Sequence, residues 1–293
     1  MKSLISQCRN CLKLTALLEA VLCLLTASAV AVTAGEVPTN PDSPQTEYVR
    51  MYVNEVPYEG RAVLYEDTTY VDLYELTEEI NACDVFPNLA ENSLVFRGTD
   101  IVMTVKNGAQ YIVANDRYLW CPNGVFVKEG RAYVPLRVAA KALGAEVVWN
   151  PNEFAAYVIT GDAPIQPASS YYVEDEVYWL SRIIYAEAGA EPFDGQIAVG
   201  NVVLNRTRAE IFPDTIYGVI FDRKYGVQFT PTANGRIYCT PSEESIIAAK
   251  ICLEGYSLSH EILYFINAAL ATNFWVPQNC EYVMTISCHD FYS

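Results

Sequence analysis

A proline inside an otherwise helical apolar pattern constrains this chain more than any other feature. From Trp179 to Arg208 the sequence reads WLSRIIYAEAGAEPFDGQIAVGNVVLNRTR. Pro192 divides it into two helices, because proline lacks the N–H donor and clashes with the preceding turn. Val177, Leu180 and Ile184 recur at helical spacing, so one face of the first helix is buried. Glu187 stands at the edge of that face, and Gly189 can close the helix. The second helix, from about Asp194 to Arg208, carries Ile197, Ala198, Val202 and Leu204, with few charges before its end. A helix so poor in charge is expected in the interior, and Gly200 admits a close neighbour. One carboxylate at the end of a helix, backed by a second buried helix, is a rigid mount for a single acid.

The 293 residues suffice for about two domains. Residues 1–34 read as a signal peptide. Lys2, Arg9 and Lys13 precede an apolar run from Leu14 to Val32, and small residues at Ala29–Ala34 offer cleavage sites. An uncleaved anchor is the alternative. The expectation is therefore a secreted or cell-envelope protein with no membrane insertion after cleavage. Removal of this segment takes away three basic residues and one acidic residue, moving the net charge from −16 to −18. Such a surface repels nucleic acid and anionic lipid, so neither is expected as a partner. Six cysteines follow the segment, at 83, 121, 239, 252, 280 and 288. They are read either as disulfides, with Cys280–Cys288 a clip for the C-terminal segment, or as buried thiols. None has the paired spacing of a zinc site, and the two histidines, His260 and His289, lie far apart. No metal and no cofactor are expected.

Residues 35–47 are rich in proline and polar residues and form a flexible lead-in. Residues 48–160 alternate strand-like segments with two helical ones. Tyr70-Val71-Asp72-Leu73 and Tyr133-Val134-Pro135-Leu136 each stand before a helix, inside matching strand–turn–strand–helix–strand patterns. That is a two-copy repeat, and it predicts one α+β domain built by duplication. Residues 161–173 are a Pro-containing linker, and residues 174–293 are mainly helical. Glu174, Asp175 and Glu176 suit the first turn of the Glu187 helix. Thr240, Pro241 and Glu243 read as the cap, first residue and capping-box acid of a helix that ends at Gly255. Gln228–Tyr238, QFTPTANGRIY, reads as a loop, and ILYFIN, YVMTI and CHDFY as short strands.

The segment EGRAYVPLRVAAKALGAEVVWNPNEFAAYVI, Glu129–Ile159, resembles the copper amine oxidase N-terminal-like, or stalk, domain. The resemblance implies a spacer or attachment module with contacts to envelope proteins. It does not imply copper, because residues 35–165 contain no histidine. The C-terminal region, from about Tyr178 to Tyr292, resembles the SleB-type cell wall hydrolase family, which includes spore-cortex-lytic enzymes. Four pieces match in order: YAEAGAEPFDGQIAVGNVVLNR, QFTPTANGRIY, LYFINAALAT and CHDFY. The resemblance implies a mainly α, lysozyme-like catalytic domain with a small β element, acting on peptidoglycan glycan strands with a glutamate as the acid. That glutamate falls on Glu187. The chain departs from the family pattern at Gly189-Ala190, where Arg-Gly is usual, and at Thr230, where Ser is usual.

Carboxylate supply bears on the mechanism. A glycosidase that uses water needs two carboxyl groups at a set separation. Only Glu187 stands in a clearly apolar setting, and Glu191, one turn later, is the other candidate. If Glu191 caps helix ends instead, one acid must suffice, as in a lytic transglycosylase that forms 1,6-anhydro-muramic products. A muramidase using a second carboxylate and a non-catalytic wall-binding protein are the alternatives. Gln228, Thr230 and Asn234 are read as substrate hydrogen-bonding groups, Tyr264 as a sugar-stacking ring, and Asn267, His289 and Glu191 as further substrate-binding residues, with His289 alternatively an orienting or core residue.

Overall fold

The computed structural model describes residues 47–293 except 129, 162 and 272. The signal-peptide reading of residues 1–34, and the lead-in up to residue 46, lie outside the described residues. The chain divides into two compact units between Gln166 and Pro167. Among the described residues, no helix is long and apolar enough to cross a membrane.

The first unit is β-rich. Its first sheet joins β1 (Glu47–Tyr48), β4 (Ala62–Tyr65), β5 (Thr68–Asp72), β12 (Arg131–Pro135) and β11 (Phe126–Lys128), in that order. A second runs β10 (Arg117–Trp120), β9 (Tyr111–Ala114), β8 (Val102–Lys106), β7 (Ser93–Arg97) and β6 (Asp84–Asn88). A third runs β13 (Ala145–Asn150), β14 (Ala155–Thr160), β2 (Arg50–Val53) and β3 (Val56–Pro57), with β14 and β2 parallel. Three hairpins close through two-residue turns: Asn54-Glu55, Glu66-Asp67 and Asn115-Asp116. All six residues have positive φ, the conformation whose twist matches the flanking strands. Helix α1 (Leu73–Ile80) follows β5, and α2 (Leu136–Ala142) follows β12. The two parent strands pair antiparallel, with Val71 opposite Val134, Asp72 opposite Tyr133 and Tyr70 opposite Pro135. Asp72 also accepts from the Tyr74 N–H to cap α1 and pairs with Arg131. Helix α1 ends at Ile80, as Asn81 leaves helical geometry.

The second unit is helical around α3 (Glu174–Ala188), α4 (Phe193–Arg208) and α7 (Glu243–Leu253), which pack on one another. Between α4 and α7 lie α5 (Ile216–Ile220), α6 (Pro231–Asn234) and a 3₁₀ turn, Arg236–Tyr238. After α7 come β15 (Tyr264–Ile266), α8 (Trp275–Asn279), β16 (Tyr282–Ile286) and β17 (His289–Tyr292), the strands ordered β15-β17-β16. Helix α4 is buried along most of its length, as its composition requires. At Gly200 an added Cβ would lie 2.8 Å from Cys252 Sγ on α7 and 3.0 Å from Ile184 Cδ1 on α3, so glycine sets the closeness of all three helices. Buried Asn201 and Asn205 hold the chain beyond α7. The Asn201 amide donates to Tyr256 O (3.0 Å), and that of Asn205 donates to Ser259 O (2.9 Å) and Ile262 O (3.0 Å).

Two local expectations are corrected. The cap of α7 is Ser242, whose Oγ accepts from the Ser245 N–H at 3.1 Å, so Thr240 and Pro241 precede the helix and Glu243 is its first residue. Gly255, with φ +94°, closes it as expected. The segment Gln228–Tyr238 is not a plain loop. Buried Phe229 and Pro231 anchor α6, and Gly235 (φ +82°) turns the chain into the 3₁₀ turn. The six cysteines from Cys83 onward are all free thiols, so nothing clips Cys280 to Cys288.

Candidate active site

Helix α3 carries Glu187 in its last turn. The helix starts where Glu176 reaches back to accept from the Val173 N–H (3.3 Å), with Glu174 and Asp175 also in the first, dipole-positive turn. It stops at Gly189, where a Cβ would fall 2.5 Å from Tyr185 O, so a larger residue here would require the helix end to shift. Ile183, Ile184, Ala186 and Ala188 are buried, and Glu187 is half-buried among them. Burial pushes its carboxyl up to about 7, and the Arg236 guanidinium pulls in the opposite direction. The negative end of the helix dipole acts in the same sense as burial.

Arg236 reaches this place through the segment the sequence reads as a loop. Both α6 and the 3₁₀ turn pack on α3. Asn234 Oδ1 accepts from the Arg236 N–H (3.0 Å), so Asn234 shapes the turn that presents Arg236. Thr230 opens α6 and is exposed, as is Asn234. Gln228 is half-buried, and its amide donates to Gly226 O at 3.4 Å.

Glu191 belongs to a different cluster. The Cys288 thiol, in the turn between β16 and β17, donates to Glu191 Oε1 at 2.7 Å. Burial raises the Glu191 carboxyl, but the Cys288 thiol, the Ser287 hydroxyl and the His289 charge outweigh it and hold it below its usual range. It is thus ionised at neutral pH and ties the hairpin turn to the corner between α3 and α4. His289 is buried, with its ring edge-on to Phe265 (5.2 Å between centroids), and burial lowers its pKa. Tyr264 packs against Phe212 and Trp275. Asn267 Oδ1 accepts from the Ala269 N–H (3.1 Å), bracing the turn after β15.

The structure therefore sorts the residues expected at the site. Gln228, Thr230 and Asn234 share the segment that packs beside Glu187, whereas Glu191 and His289 gather at the hairpin turn. Arg236 and Cys288 lie within the matched motifs, yet neither is among the site residues expected from the sequence, where Cys288 enters only as a possible disulfide partner. Arg236 is the one basic residue of its motif in a strongly acidic chain, a signal that was available. Arg206 gave none. Its buried guanidinium lies 4.9 Å from the Phe212 ring, 5.2 Å from Phe229 and 5.3 Å from Tyr264, and its Nε donates to Leu263 O at 2.7 Å. It thereby braces the Gln228–Tyr238 segment against β15.

Among the described residues, no three His, Cys, Asp or Glu side chains gather as a metal site. Comparison with known proteins gives two family matches. Residues 190–292 match the Cell Wall Hydrolase family, a span that begins three residues beyond Glu187, and residues 51–158 match the Copper amine oxidase N-terminal domain. The second span has no histidine, so its residues do not fit a copper site. A spore cortex-lytic enzyme of Oceanobacillus iheyensis is 34% identical over 117 residues, 40% of this chain and 41% of that protein. One of Bacillus subtilis is 35% identical over 105 residues, 36% of this chain and 33% of that protein. The chain thus spans less than half the length of these relatives. Among solved structures, the catalytic domain of the germination-specific lytic transglycosylase SleB from Bacillus anthracis is 33% identical. That match covers 42% of this chain and 97% of the other, with a TM-score of 0.38.

Proposed function

We propose, from the premise that a copper amine oxidase N-terminal-type domain here precedes a cell wall hydrolase domain, that the chain cleaves peptidoglycan glycan strands as a lytic transglycosylase. Glu187 serves as acid and then base. The observation that carries this reading is the raised Glu187 carboxyl, protonated over much of the neutral range, beside an Arg236 charge able to stabilise its anion. Protonated Glu187 gives its proton to the glycosidic oxygen between N-acetylmuramic acid and N-acetylglucosamine as the C1–O bond breaks. The resulting carboxylate faces an oxocarbenium-like sugar. It then takes the proton of the muramic C6 hydroxyl as that oxygen bonds to C1, closing the 1,6-anhydro ring and restoring the acid. No water and no second carboxylate enter. Glu191, the alternative base, is engaged by Cys288, which favours the single-acid route over a muramidase.

Gln228, Thr230 and Asn234 are assigned to substrate contact, being on the segment beside Glu187. Tyr264, Asn267 and His289 are assigned to shaping the site, since packing or hydrogen bonds within the chain already engage each. The lysozyme-like description of this unit is supported by a helical core that mounts an acid beside a small antiparallel sheet. Duplication of the first unit is supported by the antiparallel pairing of its two Tyr-Val-x-Leu segments. Export to the cell envelope follows from the substrate and the N-terminal segment, and the first unit then acts as a spacer or attachment module. Spore cortex joins vegetative wall as a substrate to test, given the names of the relatives.

The test is mass spectrometry of fragments released from both kinds of peptidoglycan by wild type and by Glu187→Gln. Anhydro-muramic ends that disappear in the variant are expected. Reducing muramic ends lost in the variant would replace the proposal with a muramidase. Release of nothing by wild type, with glycan retained on the protein, would replace it with a wall-binding function.

A further inference from the structure

Five aromatic side chains meet at the surface of the helical unit, and the chemistry above uses none of them. Trp179 on α3 packs edge-to-face with Tyr178 (4.9 Å), Tyr217 (5.3 Å), Phe221 (5.2 Å) and Tyr238 (6.4 Å). Tyr217 and Phe221 also touch each other, at 4.6 Å. These rings would cover one another completely in a core. Here Tyr178 is 44% exposed, Tyr217 51% and Tyr238 62%. Exposed contiguous apolar surface of this kind marks a binding face.

We propose that this face docks a further stretch of the glycan strand, beyond the bond that Glu187 cleaves. The inference rests on the function proposed above. Continuity with the site is its first support. Trp179, Ile183 and Glu187 follow at four-residue spacing on α3, two turns or about 12 Å along the axis. The 3₁₀ turn supplies Arg236 to the acid and Tyr238 to the patch. Charge is the second support. The Arg182 guanidinium lies 3.9 Å from the Tyr178 ring centroid, so with Arg236 two cations border the patch in a chain of net charge −16. A polymer with apolar sugar faces and carboxylate-bearing peptide stems is complementary to such a surface. Rigidity is the third. Mutual packing already holds the rings, so binding costs little side-chain entropy.

The test uses the full chain with Glu187→Gln, which should hold glycan uncleaved, and compares binding of long soluble strands with binding of disaccharide fragments. Adding Tyr217→Ser and Tyr238→Ser should weaken long-strand binding by roughly tenfold and leave disaccharide binding unchanged. Tyr217→Phe with Tyr238→Phe should keep most of the long-strand advantage, because the rings remain. Unchanged long-strand binding, or equal loss at both lengths, overturns the proposal. So does a loss of self-association in sedimentation with glycan binding intact, which would assign the face to a second copy. Binding of no glycan at any length by the Glu187→Gln chain would instead remove the functional reading on which the proposal stands.

Discussion

Burial raises the Glu187 carboxyl to about 7, and the same burial sets a cost on the folded chain once that carboxyl ionises. Its ordinary value is 4.5, so between pH 4.5 and 7 the folded chain binds more protons at this group than the unfolded chain does. Stability from this group is therefore present below pH 4.5 and falls as pH rises to 7. Glu187→Gln escapes that loss. We expect the variant to be inactive yet more stable than wild type above pH 7, by about 1–3 kcal/mol, with the gap closing near pH 4. Thermal melts across pH check this, and an equal gap at both ends would count against a buried ionisable acid. Arg236 opposes burial, so its loss should raise the Glu187 carboxyl further. Arg236→Ala should move the alkaline limb of kcat/KM upward by up to about one pH unit, while Arg236→Lys should move it less.

Elements hold the acid through close approach more than through polar contacts. At Gly200 three helices meet, with α3 and α7 each within about a van der Waals contact of its absent Cβ. Gly200→Val should cost about 1–3 kcal/mol, read as a lower urea midpoint with an unchanged slope. Activity should fall with it, since α3 carries Glu187. Cys252→Ala, which clears the nearer obstacle, should recover part of the loss. Tethering at the other end of the site rests on Glu191, bonded to a thiol 97 residues away. Only the pairing of β16 with β17 brings that thiol to it. As a carboxylate four residues past Glu187 it reads equally as a second catalytic group or as a brace.

Over the whole molecule, the two units differ in what builds them. The first is held by hairpins and a β-sheet core, and the second by three helices packed around Gly200. Residues 167–293 have their own buried core, so that segment expressed alone should show helical circular dichroism and a cooperative melt. It should also release the same fragments as the full chain; failure to fold would show that the first unit supplies part of its stability. Much of this architecture was legible in residues that act on their near neighbours. Pro192 had to break the helical run, Gly255 had to close α7, and Tyr-Val-x-Leu had to be strand before helix, because backbone sterics and hydropathy period act within a few residues. Even there, competing caps a few residues apart misplaced the start of α7 at Thr240, since each hydroxyl could accept the bond that Ser242 takes. Tertiary structure alone decided which distant charges face the acid and which carboxylate is already engaged. It also decided that Arg206 lies buried among three rings and that five aromatics emerge at one surface. Burial and electrostatics act through space, and the spacing of letters along a chain does not carry that distance.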